Sequence, residues 1–209
     1  MNGAHLLAVE GNQKLYHEIE NDTHADWIIE AKDEVQFKVH PIILKPRSDF
    51  LNNLMNSDFK EKKDKKIVFS EFTSTAVKYF IKFMYGFDLK NDADKYPDLN
   101  TLKELVRMGD MYLVKRLRDA AIVSLDMILT TSNALEILQF KKEQSLSLDS
   151  CLHYIVKNLN FSELRKKGDL KKFPEIALTI IEHLHDAGQL TDYTVKTYCT
   201  QTGKKRKYF

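Results

Sequence analysis

Apolar and polar residues alternate with a period of two only near the front of the chain. Trp27-Ile28-Ile29, followed by Val35, Phe37 and Val39 interleaved with Gln36, Lys38 and His40, predicts two strands joined through Lys32-Asp33-Glu34 as a hairpin with one buried face. Ahead of it, Leu15, Tyr16 and Ile19 stand at helical spacing and predict one short helix. Behind it, Pro41 suits a first helical turn, where its missing N–H would have no partner anyway, and Ile42, Ile43 and Leu44 carry a short helix over 41–45. Ser48 and Asp49 are placed to cap a second helix that buries Phe50, Leu51, Leu54 and Met55, and the charged run 60–66 breaks it. Ile67-Val68-Phe69 is too short for a helix and rich in β-formers, so it predicts a third strand.

From Thr73 onward the period is helical. Thr73 or Ser74 caps a helix carrying Ala76, Val77, Phe80, Ile81, Phe83 and Met84, and Gly86 stops it where a left-handed residue is wanted. A polar loop over 91–100 precedes two further helices, the first with Leu102, Leu105, Val106, Gly109, Tyr112 and Leu113, the second with Leu117, Ala121, Leu125 and Ile128, hinged at Val114-Lys115. Beyond Leu129 the pattern holds only helices: 134–140 behind Ser132 or Asn133, then 148–159, 161–166 and 174–185. The fold class is therefore α+β in the front half with an all-helical rear.

Charge and composition narrow the function. Thirty-two Lys and Arg against 30 Asp and Glu leave a net charge of +2, too near balance to imply a nucleic-acid coat or attraction to a membrane. Cys151 and Cys199 lack CxxC spacing, which fits a reducing compartment better than a disulfide framework. The N-terminus lacks a basic n-region and a proper apolar h-region, and no run approaches the roughly 18 apolar residues of a membrane span. With 7 glycines and no phosphate-loop, GxSxG or HExxH spacing, catalysis has no visible machinery, and no cofactor is expected. Cys151-x-His153 and His183-x-His185 offer four zinc ligands, yet residues i and i+2 of a helix point apart, so no metal is expected either. Lys204-Lys205-Arg206-Lys207 reads as a candidate nuclear import signal, which makes nucleus and cytoplasm the expected compartments.

Taken in order, Asp26, Phe37-Lys38-Val39-His40, Pro41-Ile42-Ile43-Leu44, Ser48-Asp49-Phe50-Leu51, Ile67-Val68-Phe69, Met84-Tyr85-Gly86, and Gly109-Asp110-Met111-Tyr112 with Leu117 resemble the successive signature pieces of the BTB/POZ family. The resemblance covers residues 15–128 and implies a BTB/POZ fold, a small sheet flanked by helices, behind an arm at 1–14. The helices over 129–190 resemble the three-box or BACK-like extension of cullin-3 adaptors of the speckle-type POZ kind, with the basic tail at 191–209. That likeness implies a homodimer that binds cullin-3 and an unidentified substrate protein. Adaptors of this kind place a hydrophobic residue, any residue, then Glu after the second helix, which here is Phe59-Lys60-Glu61; Met55 and Tyr112 are counted with them as cullin-binding. The dimer interface implied by the family falls on Leu15, Ile19, Asp26 and His40. The alternative is a BTB scaffold that binds corepressors in transcriptional regulation. The likeness departs from the family pattern in three places: Tyr85-Gly86-Phe87-Asp88 replaces the usual Tyr-Thr-Gly, the loop through Asp92-Ala93-Asp94 is longer than the pattern, and no MATH, kelch or zinc-finger module is recognisable in these 209 residues.

Overall fold

The computed structural model describes residues 10–11, 13–17, 24–57, 60–90, 95–158 and 174–186. The chain divides into two compact units, Met1–Ile128 and Leu129–Phe209.

The first unit is built on a three-stranded sheet in the order β2-β1-β3, with β1 (Trp27–Ala31) in the centre. β1 pairs antiparallel with β2 (Gln36–Val39), Trp27 opposite Val39, and parallel with β3 (Lys66–Phe69), Ile29 opposite Ile67. Alternation does what the sequence predicts on β1, where Trp27, Ile29 and Ala31 are buried. It fades along β2, an edge strand whose burial is complete only at Val39, while the predicted inward residue Val35 is 43% exposed.

Between β2 and β3 lie α1 (Pro41–Leu44), a 3-10 turn (Lys45–Arg47), α2 (Asp49–Asn56) and α3 (Lys60–Asp64). Ser48 caps α2 by accepting a hydrogen bond from the Leu51 N–H at 3.0 Å. Leu51 and Met55 are buried as expected, but Phe50, predicted inward, is 38% exposed. The charged run expected only to break α2 forms a helix of its own, α3, over Lys60–Asp64.

α4 (Ser74–Met84) has Thr73 as its N-cap, and two distant carboxylates reinforce the start. Glu104 accepts from Thr73 N and Oγ1 at 2.8 and 2.9 Å, and Asp33, from the hairpin turn, accepts from Ser74 Oγ at 2.5 Å, which holds the exposed Asp33 carboxyl below its ordinary pKa. α5 (Leu99–Met111) starts inside the predicted loop, capped by Asp98, whose carboxyl the Thr101 N–H holds below its ordinary range. α6 (Lys115–Met127) packs back along α5 so closely that Gly109 lies against the backbone of Arg118.

The hinge between α5 and α6 falls earlier than Val114-Lys115. Leu113 adopts φ 55°, Val114 N–H donates to Gly109 O at 2.8 Å and Leu113 N–H to Asp110 O at 3.3 Å, which together make a left-handed helix stop. α4 ends the same way with Gly86 at φ 93°, as the sequence predicts, but here the position is a leucine, 62% exposed and so not the core residue its spacing suggests. Leu113→Gly is expected to raise stability by about 1 kcal/mol, because a β-carbon in the left-handed region costs about that much and little burial is lost; chemical denaturation measures it, and a fall in the midpoint would contradict it.

The second unit contains α7 (Ala134–Glu143), α8 (Asp149–Asn158) and α9 (Pro174–Asp186). Their facing residues, Ile137 and Leu138, Cys151 and Ile155, and Ile180, are buried, and Lys142 Nζ donates to Thr179 Oγ1 at 2.8 Å to tie α7 to α9. Asn133 does not cap α7 with its side chain; its Oδ1 accepts instead from Thr130 N at 2.8 Å. The helix predicted over 161–166 and the basic tail lie outside the described residues. Cys151 is buried while His153 is exposed, and among the described residues no group of three or more His, Cys, Asp or Glu could hold a metal ion. Among them, too, no helix is long and apolar enough to cross a membrane.

Candidate protein-interaction groove

A surface groove of about 510 Å³ opens in the first unit where α2, α3, β3 and the end of α5 meet. Its apolar wall is Phe50 and Leu54 of α2 with Met111 of α5. α3 supplies Lys60, Glu61 and Asp64 along the opposite rim, and the turn after β3 supplies Ser70 and Glu71. Phe50 is half in this wall because α2 offers a broad apolar face: Leu51 and Met55 take the core side, leaving Phe50 on its edge.

Tyr112 forms the floor. Its ring is stacked on Phe69, with centroids 4.1 Å apart and planes at 15°, and meets Phe50, Phe72 and Phe80 at 5.6, 5.9 and 5.6 Å. Offset and edge contacts of this kind add stabilisation beyond area burial. Ser48 fixes the floor to the wall, because the hydroxyl that caps α2 also donates to Tyr112 O at 2.6 Å. Burial, with the Glu71 carboxylate nearby, pushes the Tyr112 phenol above its ordinary pKa, so it remains a neutral donor.

The structure thus brings Lys60, Glu61 and Tyr112 to one groove. Phe59 lies outside the described residues. Met55 does not join them: it is 2% exposed and belongs to the core beneath α2, so the expectation that it takes part in a contact is corrected. Phe50, Met111 and Glu71 also line the groove, although the sequence did not mark them for a contact: they come from α2, the end of α5 and the turn after β3.

The four residues expected at a dimer interface part company. Asp26 is exposed and pairs with Lys65. His40 is not a surface group: it is 1% exposed, with Nδ1 2.6 Å from Tyr85 Oη, while its backbone N–H donates to that same oxygen at 2.9 Å. Asp26 and His40 thus stand in different surroundings, one at the surface and one in the core. Leu15 is half-buried in a helical stretch where Tyr16 packs edge-on against Tyr85 and Phe87, and Ile19 lies outside the described residues.

The first unit is thus a small sheet among helices that carries an aromatic-floored surface groove. The BTB/POZ domain model matches residues 15–129, more than half of the chain, and the chain belongs to the BTB/POZ family. It is 26% identical over 191 residues, 88% of this chain, to Kelch repeat and BTB domain-containing protein 3 of Pongo abelii. It is 25% identical over 126 residues, 59% of this chain, to BTB and MATH domain-containing protein 40 of Caenorhabditis elegans. The chain spans only 29% and 30% of the lengths of these two relatives.

Proposed function

We propose that the chain is a dimeric, non-catalytic adaptor that joins a substrate protein to a cullin-3 ubiquitin ligase, docking the cullin in the groove beside α3. The observation that carries this reading is the convergence of Lys60 and Glu61 with the sequence-distant Tyr112 on one aromatic-floored depression. Interfaces are anchored by aromatic residues in such pockets, with charges at the rim fixing orientation. The helices of the second unit support the same reading, because the similarity to a kelch and BTB protein runs over 191 residues and so continues past the BTB match.

The test is calorimetric titration with the cullin-3 N-terminal domain. Wild type binds, and Phe59→Ala combined with Glu61→Lys weakens binding about thirtyfold or more, since truncating an interface anchor typically costs about 2 kcal/mol. The melting temperature of the double variant stays near that of wild type. No cullin binding by wild type hands the chain to the corepressor-scaffold alternative; unchanged affinity in the folded variant refutes the site. The dimer is tested separately by light scattering at micromolar concentration, where twice the 24.4 kDa chain mass is expected and a clean monomer overturns it.

A further inference from the structure

The groove is unevenly charged in a way the docking of an apolar anchor does not explain. Of the two lysines in its lining, Lys66 is committed to Glu30 at 2.6 Å, and that hydrogen-bonded ammonium holds the Glu30 carboxyl below its ordinary pKa. Three carboxylates of the lining, Glu61, Asp64 and Glu71, have no ion-pair partner among the described residues, against the single unpaired ammonium of Lys60. Acidic residues on a surface are ordinary by themselves. What marks this group is Tyr112: it is 5% exposed, its phenol has no hydrogen-bond partner among the described residues, and that oxygen is not sealed inside the protein, so it faces the groove. An oxygen open to the groove and without a protein partner is available to accept from an occupant's N–H in place of water.

We infer that the groove contains a subsite for a cationic side chain, best a guanidinium, seated between the Glu71 carboxylate and the aromatic surface of Phe50 and Tyr112. Phe50 presents an accessible ring, 38% exposed and 5.6 Å from Tyr112, on which a planar guanidinium can stack while its N–H groups reach Glu71 and the phenol oxygen. A guanidinium meets a carboxylate with two parallel hydrogen bonds, which an ammonium cannot do. The inference deepens the docking reading: the docked segment of the partner carries an arginine next to its apolar anchor.

The test uses the full chain labelled with nitrogen-15 and two probes, Nα-acetyl-arginine methylamide and its neutral isostere Nα-acetyl-citrulline methylamide. The arginine probe is expected to shift the amide signals of Ser70, Glu71 and Met111, and the citrulline probe to leave them in place. Glu71→Gln should weaken the arginine probe about tenfold, the loss of one charge-assisted contact, with an unchanged melting curve. Tyr112→Phe, which keeps the ring, should weaken it severalfold. Equal shifts from both probes, shifts scattered over all acidic surfaces, or full binding by Glu71→Gln would each overturn the subsite. Selective arginine binding by a chain that does not bind cullin-3 would retain the subsite and remove only the choice of partner.

Discussion

Tyr112→Ala is expected to destabilise the first unit by about 4 kcal/mol, the magnitude of removing a large aromatic ring from a core. The ring contacts four phenylalanines, and one of them, Phe69, is the last residue of β3, so its removal opens a cavity where strand, α4 and α5 meet. A melting experiment followed by circular dichroism should show a loss of roughly 15 °C, by the usual conversion of stability into midpoint for a domain of this size. Tyr112→Phe should melt within a few degrees of wild type, because the hydroxyl has no partner among the described residues and the stack with Phe69 is retained. The pair of variants separates the two duties of this residue: the ring holds the groove floor, and the oxygen is left for an occupant. A small shift for the alanine variant would mean that the four phenylalanines close over the gap.

The second large effect belongs to Gly109. A β-carbon there would lie 2.6 Å from Arg118 Cβ, 2.7 Å from Arg118 N and 2.8 Å from Arg118 Cα, all nearer than atoms can sit. Alanine is the better helix former by about 1 kcal/mol, yet the obstruction is the backbone of α6, which can yield only if the two helices separate. Gly109→Ala is therefore expected to lose about 3 kcal/mol and roughly 10 °C. Trimming the neighbour does not help: Gly109→Ala with Arg118→Ala should remain as unstable, because every close atom is retained in alanine. Recovery in that double variant would show that the long side chain, not the backbone, was in the way.

The elements with a strong local signal could be read from residues alone. α4 is bounded by a threonine cap and a glycine stop, with apolar residues at helical spacing between them, and it stands where those residues put it. α3 was hidden because Lys-Glu-Lys-Lys-Asp has no apolar stripe. Phe50 lies at the edge of the core and not within it because a wide apolar face says that a helix is half-buried without saying which edge faces the core. Leu113 fitted the periodicity and was counted as core, whereas its φ places it outside the helix. At the groove, Tyr112, Lys60 and Glu61 were reachable through the family's order of motifs; Glu71 and Phe50 depend on how β3 and α2 are set against α5, which no local spacing encodes.

The mixed sheet dictates an order of events as the chain is made. β2 follows β1 after a short turn and can pair with it at once, but the parallel partner on the other side of β1 is reached only after α1, α2 and α3 have been threaded between them. Until Phe69 has left the ribosome, the nascent hairpin carries Trp27 and Ile29 on a strand with one edge unsatisfied, open to any extended segment it meets. Completion must wait for a long-range closure, which is slow compared with hairpin formation. Lys65 and Lys66, which pair with Asp26 and Glu30, stand at the start of β3 and bring to the late-arriving strand the flanking charge that opposes unwanted pairing.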